Sequence, residues 1–309
     1  MIDLHTHSTV SDGSDSPARV AELAAAAGCT AFALTDHDRL DGVEEARARS
    51  RELGVEVVTG CELSCSITPF GHGAGPPFGH GAGPPFGHRA GPPFGHGAGT
   101  GGTIHILAYF VDGDGPLGEE LVRLQHTRDD RNLRLADRLG ELGLPVTLEE
   151  MEAEAAGEGV GRPHAAAVLV AKGVVDSVQE AFERYLARGR PGYVERERLT
   201  AEEGVALVRA SGGVAVLAHP RSLTSDLAEL EAAVGGLAAL GLSGLEAEYG
   251  RYSAEERADL AALAHRHGLV ATGGSDYHGT YKPDLSVGTG RGDLRVPGQA
   301  LDELAARRP

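Results

Sequence analysis

A chain of 309 residues with 41% hydrophobic content is long enough to bury a full core, as one α/β domain of barrel size or as a domain with an insert. Its formal net charge of -17 repels polyanions over the surface as a whole, which argues against a non-specific grip on long duplex nucleic acid. No apolar run reaches the roughly 18 residues of a membrane helix, and the first candidate ligand follows Met1 so closely that no signal peptide fits. The expectation is therefore a soluble cytoplasmic protein.

Short apolar runs alternate with amphipathic helical patterns along the chain, the mark of repeated βα units around a parallel sheet. Strands are expected over residues 2–4, 31–34, 55–58, 104–108, 214–218, 244–247 and 269–272. Ser16-Pro17 opens a helix that stops at Gly28, and Thr200…Glu203 and Ser253…Glu256 form capping boxes whose helices close at Gly212 and Gly268. Cys29, Cys61 and Cys65 are too few for a disulfide framework and are read as small core hydrophobes. Two segments break the alternation. Residues 69–102 carry an eight-residue Phe-Gly-His-Gly-Ala-Gly-Pro-Pro repeat, too rich in Gly and Pro to pack a core and expected to be a disordered loop between two strands. Its histidines, His72, His80, His88 and His96, could recruit ions weakly; an expanded repeat tolerated in a surface loop is the simpler account. Residues 112–200 read as helical, with helices over 117–142, 163–171 and 178–186 and a capping box at Thr147…Glu150, as a small all-α insert or cap would be. The expected organisation is thus a barrel in two parts, 1–111 and 201–309, around an insert at 112–200.

The histidines outside the repeat carry the chemistry. His5, His7, His37, His105, His219 and His278 lie in or just beyond expected strands, and in a parallel α/β barrel the C-terminal strand ends converge on one face. His5 and His7, two apart on an extended segment, point to the same side, as chelation requires. Asp12 sits in a Ser-Asp-Gly turn; Thr35-Asp36-His37-Asp38 follows the second strand, Glu62 ends the third, and Ser275-Asp276-Tyr277-His278 follows the seventh. His105 alone falls near the start of its strand and needs the barrel interior to reach the others. A lone strand-end histidine is usually structural, but six of them with carboxylates would be very costly to bury at one rim without a cation. Imidazole and carboxylate donors without thiolate suit divalent manganese, iron or zinc. His265 and His267 are better explained as exposed residues at a helix C-terminus.

These residues resemble a known family, the PHP (polymerase and histidinol phosphatase) metallophosphoesterases. The resemblance rests on Asp3-Leu4-His5-Thr6-His7, Ser11-Asp12-Gly13, Leu34-Thr35-Asp36-His37-Asp38, Gly60-Cys61-Glu62-Leu63-Ser64, Ile104-His105-Ile106, Leu217-Ala218-His219-Pro220 and Gly274-Ser275-Asp276-Tyr277-His278, in family order across nearly the whole chain. It implies a distorted seven-stranded barrel holding three divalent ions, with manganese placed ahead of iron and zinc. His5, His7, Glu62 and Asp276 would hold the first ion, Glu62 as bridge with His105 and His219 the second, and Asp12, His37 and His278 the third. Asp36 and Asp38 would then orient histidines, with Asp38 alternatively touching the substrate.

Within the insert, Arg128, Arg131-Asn132, Arg162-Pro163-His164, Tyr185-Leu186-Ala187-Arg188-Gly189 and Gly192-Tyr193-Val194 resemble the cap of bacterial PHP enzymes acting on nucleotides. Those are 3',5'-nucleoside bisphosphate phosphatases and related 5'-to-3' exonucleases on short RNA. The resemblance implies a metal-dependent phosphoesterase, with water activated by the cations attacking phosphorus and a small nucleotide or short oligoribonucleotide as partner. Arg128, Arg131 and Arg221 are expected to position a second phosphate, Asn132 to help bind substrate, and His164 to contact substrate or protonate the leaving oxygen. A histidinol-phosphate-type phosphatase is the competing enzyme, and a non-catalytic metal- or nucleotide-binding module the competing class.

Overall fold

The computed structural model describes residues 1–66, 103–155 and 159–309; the Gly/Pro/His repeat and its four histidines lie outside them. Strands β1 (Ile2–Thr6), β2 (Ala31–Leu34), β3 (Glu56–Ser66), β4 (Thr103–Tyr109), β5 (Val214–Leu217), β6 (Gly244–Tyr249) and β7 (Val270–Gly274) form one sheet in chain order. The sheet curls until β1 meets β7. Asp276 donates its backbone N–H to the His5 carbonyl at 2.8 Å, and His7 donates to Tyr277 at 2.9 Å. The architecture is α/β, a nearly closed seven-stranded barrel.

Four of the six sequential strand pairings are parallel, but β4 runs antiparallel to both β3 and β5. This corrects the expectation of an all-parallel sheet. Among the described residues no crossover helix separates β3 from β4, and parallel neighbours need one. The reversal brings the start of β4 to the rim where the other strands end, so His105 reaches the cluster because its strand is inverted.

Side chains alternate inward and outward along each strand. On the outside, Phe32 and Leu34 pack against α1 (Pro17–Ala26) and α2 (Val43–Leu53), while Cys61, Leu63, Cys65, Ile106 and Leu217 pack in the larger outer core. All three cysteines are buried and unpaired, as expected of core hydrophobes. Inside, Leu4, Ala33, Val58, Leu107, Tyr109 and Val216 fill the barrel, and the Tyr109 hydroxyl donates to the Leu4 carbonyl at 2.6 Å.

Four helical elements follow β4: α3 (Pro116–Glu141), α4 (Leu148–Ala155), α5 (Arg162–Ala171) and α6 (Val178–Ala181), the last running into a π-helical turn over Phe182–Leu186. They enclose a core of their own, including Leu139, Met151, Leu169 and Leu186. α3 serves both bodies, because its early residues Leu117 and Leu121 belong to the barrel's outer core and Leu135 and Leu139 to the helical one. The chain returns through α7 (Ala201–Ala210), α8 (Leu227–Ala239) and α9 (Ala254–Arg266), with both capping boxes formed as the sequence implies. Finally α10 (Gln299–Ala305) and Val296 close the barrel end opposite the histidines, where Ile2 donates to the Val296 carbonyl at 3.1 Å. No helix among the described residues is long and apolar enough to cross a membrane.

Candidate metal centre and substrate cavity

All nine residues expected as ligands converge at one rim. Glu62 stands at the middle. The third strand is longer than its apolar run suggested, so Glu62 lies inside β3 rather than at its end. Its Oε1 is 2.8 Å from His105 Nδ1 and 3.0 Å from His219 Nε2; its Oε2 is 3.1 Å from His7 Nε2, 3.2 Å from His37 Nδ1 and 3.4 Å from His5 Nε2. Asp12 lies 3.2 Å from His278 Nε2 and 3.6 Å from His37 Nε2, and Asp276 Oδ1 lies 3.5 Å from both His5 and His7.

Donor atoms fall within 4.8 Å of one another in three sets, His5–His7–Asp276, His37–Glu62–His105 and His7–Asp12–His37–His278, each able to bind a metal. The donor set fits cations for a further reason. His5 Nε2 and His7 Nε2 lie 3.1 Å apart, and His105 Nδ1 and His219 Nε2 3.2 Å apart, so ring nitrogens face each other as they do around a shared ion.

The ring orientations are fixed from behind. His5 Nδ1 is 2.9 Å from Glu246 Oε1, His219 Nδ1 is 2.9 Å from Ser222 Oγ, and His278 Nδ1 donates to the Asp276 carbonyl at 2.9 Å. Each of these three histidines therefore presents Nε2 to the cluster. Burial would raise the Glu62 carboxyl, but His105, His37 and His5 together hold it well below the usual carboxylate range. Burial lowers His7 and His105 and pushes His37 down to about 3, leaving them neutral, the form in which imidazole ligates. His5, though buried, is raised by Glu246, Glu62 and Asp276; a cation at Nε2 would take that proton's place. Three of the four non-glycine residues with positive φ among those described, Asp38, His219 and Asp276, sit at this rim, where backbone strain aims side chains.

Sequence reasoning missed Glu246. It is fully buried, holds His5, and accepts the His219 backbone N–H at 2.6 Å. The signal was the period of two in β6: Leu245 and Ala247 face the outer core, so Glu246 must point inward.

Above the rim opens a cavity of about 730 Å³, reached by Asp12, His37, His105 and His278 and walled by Arg128, Arg131, Arg162, Arg196 and Arg198. Arg196 and Arg198 were also missed, although alternation in Glu195-Arg196-Glu197-Arg198 puts two guanidiniums on one side of the segment. Arg131 is only 5% exposed, its Nε has no partner among the described residues, and burial together with Arg128, Arg162, Arg196 and Arg198 lowers its pKa. Arg196 Nη1 and Arg198 Nε are likewise buried without partners. So concentrated a positive wall in a chain of net charge -17 has the charge an anion site requires.

Five other expected site residues have partners of their own. Asp38 touches no histidine among the described residues: its Oδ2 pairs with Arg128 at 2.7 Å and Arg196 at 2.8 Å, and its Oδ1 accepts the Ser64 N–H at 2.9 Å, so it anchors the arginines. His164 is enclosed; its Nδ1 accepts the Gly161 N–H at 2.9 Å and so caps its helix, while its Nε2 is buried without a partner among the described residues. Asn132 donates to the Val160 carbonyl at 3.0 Å instead of lining the cavity. Arg221 is turned to the Ser225 carbonyl at 3.1 Å, outside the cavity wall. Asp36, finally, binds Ser8 and Ser11, steadying the turn that carries Asp12, and contacts no imidazole.

A barrel rim of imidazoles and carboxylates beneath a wall of guanidiniums defines a metal-dependent phosphoesterase. The PHP domain model matches residues 3–78. A 5'-3' exoribonuclease of Haemophilus influenzae is 30% identical over 89% of this chain and 89% of its own length, and a 3',5'-nucleoside bisphosphate phosphatase of Chromobacterium violaceum is 30% identical over 93% and 90%. A phosphoribosyl 1,2-cyclic phosphate 1,2-diphosphodiesterase of Eggerthella lenta is 32% identical over 96% and 98%. Among solved structures, one described as a metal-dependent phosphoesterase from Bifidobacterium adolescentis superposes with a TM-score of 0.78 at 27% identity, covering 100% of this chain and 96% of that one. The chain belongs to the PHP family.

Proposed function

We propose that this protein hydrolyses phosphate esters of nucleotides, 3',5'-nucleoside bisphosphates first and the 5' ends of short RNA second, using three divalent ions. His5, His7, Glu62 and Asp276 would hold one ion, Glu62, His105 and His219 another, and Asp12, His37 and His278 the third, with manganese placed ahead of iron or zinc. Bound there, the ions supply Lewis-acid polarisation of the phosphoryl oxygens and activation of water at neutral pH.

The chain's own residues do the rest. Glu62 offers both carboxylate oxygens to opposite sides of the cluster, which an imidazole nitrogen cannot do. Asp38 holds Arg128 and Arg196 side by side, and Arg131 and Arg198 add donors, so a phosphate away from the cleaved bond is gripped by planar guanidiniums. The observation that carries the reading is this arginine wall on the same cavity as the ligand rim. A substrate with a single phosphate, such as histidinol phosphate, would leave most of the wall unused. The substrates of the phosphatase and diesterase relatives both name more than one phosphoryl group, and both suit the wall.

The test is turnover by protein reloaded with manganese, measured as phosphate from adenosine 3',5'-bisphosphate, 5'-mononucleotide from a 5'-phosphorylated RNA trimer, and disappearance of phosphoribosyl 1,2-cyclic phosphate or of histidinol phosphate. The bisphosphate is expected to give the highest kcat/KM. Faster cleavage of either of the last two compounds replaces the proposal, and nucleotide binding without turnover of any substrate makes the protein a binding module.

A further inference from the structure

The cavity lining is of two chemical kinds. Arginines and metal-type ligands make one; Val178, Phe182 and Val194 add apolar surface. Val178 and Phe182 are four residues apart, so they present one face of the helix that becomes the π-helical turn. Turns of that type are rare and concentrate at functional sites.

Phe182 is held firmly. The Arg162 guanidinium lies over its ring at 5.7 Å and over the Tyr193 ring at 5.4 Å, and donates to the Leu186 carbonyl at 3.1 Å. Arg162 is thus engaged with the aromatic rings and the π turn, unlike the neighbouring arginines with unpartnered nitrogens. Nearby polar groups are occupied within their own helix: Ser177 Oγ accepts the Glu180 N–H at 3.1 Å, and Gln179 donates to Glu183 at 2.7 Å. Val178, Phe182 and Val194 thus give the cavity a stretch of apolar and aromatic lining beside Arg162, with Val194 at one end of a segment that carries Arg196 and Arg198 at alternate positions.

We infer that this apolar lining seats a nucleobase stacked on Phe182, so that the cavity selects nucleotides over sugar phosphates that lack a base. The inference rests on the nucleotide reading above and deepens it. Stacking uses the π-face that every base possesses, so the platform recognises the presence of a base rather than its edge.

The test compares kcat/KM for adenosine 3',5'-bisphosphate and for ribose 3,5-bisphosphate in the manganese-loaded parent and in Phe182→Leu, which keeps apolar volume and loses the flat face. The ratio of the two should fall about tenfold or more in Phe182→Leu, mainly through KM for the nucleotide. Phe182→Tyr, which restores an aromatic face, should recover it. If the parent cleaves both compounds and Phe182→Leu keeps the parent's ratio, the platform is overturned while the nucleotide reading stands. If the parent cleaves neither bisphosphate, both fall.

Discussion

At the scale of single residues, the site is built on burying charge and then using it. Glu246 is a buried carboxylate whose two oxygens are spent on His5 and on the His219 backbone. Glu246→Gln should weaken manganese affinity about 10- to 100-fold, the usual effect of losing a partner behind a ligand. Unchanged affinity in a manganese titration would remove that role. Arg131 is the opposite case, a nearly enclosed guanidinium whose Nε has no partner among the described residues. Replacing an uncompensated buried charge with an apolar side chain relieves desolvation. Arg131→Met should therefore raise the thermal midpoint while cutting kcat/KM for a bisphosphate ten- to a hundredfold, since a charge-assisted hydrogen bond is worth about 1.5–3 kcal/mol. A midpoint and an activity that fall together would refute this trade. Much of the residue-level picture was open to reading from sequence, because ligand types recur at strand ends whatever the packing. The partners of Asp38, His164 and Asn132 were not legible, because a motif gives residue types alone and each partner (Arg196, the Gly161 N–H, the Val160 carbonyl) is supplied by tertiary packing.

Elements set how closely those residues approach. β7 ends in Gly273-Gly274, and a Cβ at Gly274 would lie 2.4 Å from the His5 Cβ and 2.5 Å from its backbone nitrogen. The seam between β1 and β7 closes only because that atom is missing. Gly274→Ala should cost on the order of 1–3 kcal/mol through overpacking and, by prising His5 from Asp276, weaken metal binding as well. A variant that melts earlier yet binds manganese as tightly as the parent would show that the seam does not set the ligand spacing. Strand positions and helix caps were legible in the sequence, because alternation and capping boxes are local. The direction of β4 was not: its apolar run, 104–108, reads the same both ways, and only its pairing with β3 and β5 orients it.

For the whole molecule, the ligand rim stores repulsion that cations relieve. Six imidazoles and three carboxylates share one end of the barrel, fed by residues from His5 to His278, so nearly the full length of the chain is tied to the ions. Metal that binds only the folded state stabilises it by about 2.7 kcal/mol at a free concentration 100 times its Kd. Stripping the protein with a chelator should therefore lower the thermal midpoint by several degrees, at roughly 2–4 °C per kcal/mol for large domains. Readdition of manganese should restore it. A midpoint indifferent to chelator and metal would mean that the rim does not take up ions.

Ser66 and Thr103 face each other across the antiparallel ladder of β3 and β4. Because paired residues in such a ladder stand only about 5 Å apart, the polypeptide spliced between them leaves and re-enters at a single point. The register of the two strands is set by their own pairing and not by the length spliced between them. A lineage could lengthen, shorten or exchange that stretch by repeat slippage without disturbing the register of Glu62 or His105, and a protein engineer could graft a reporter there for the same reason.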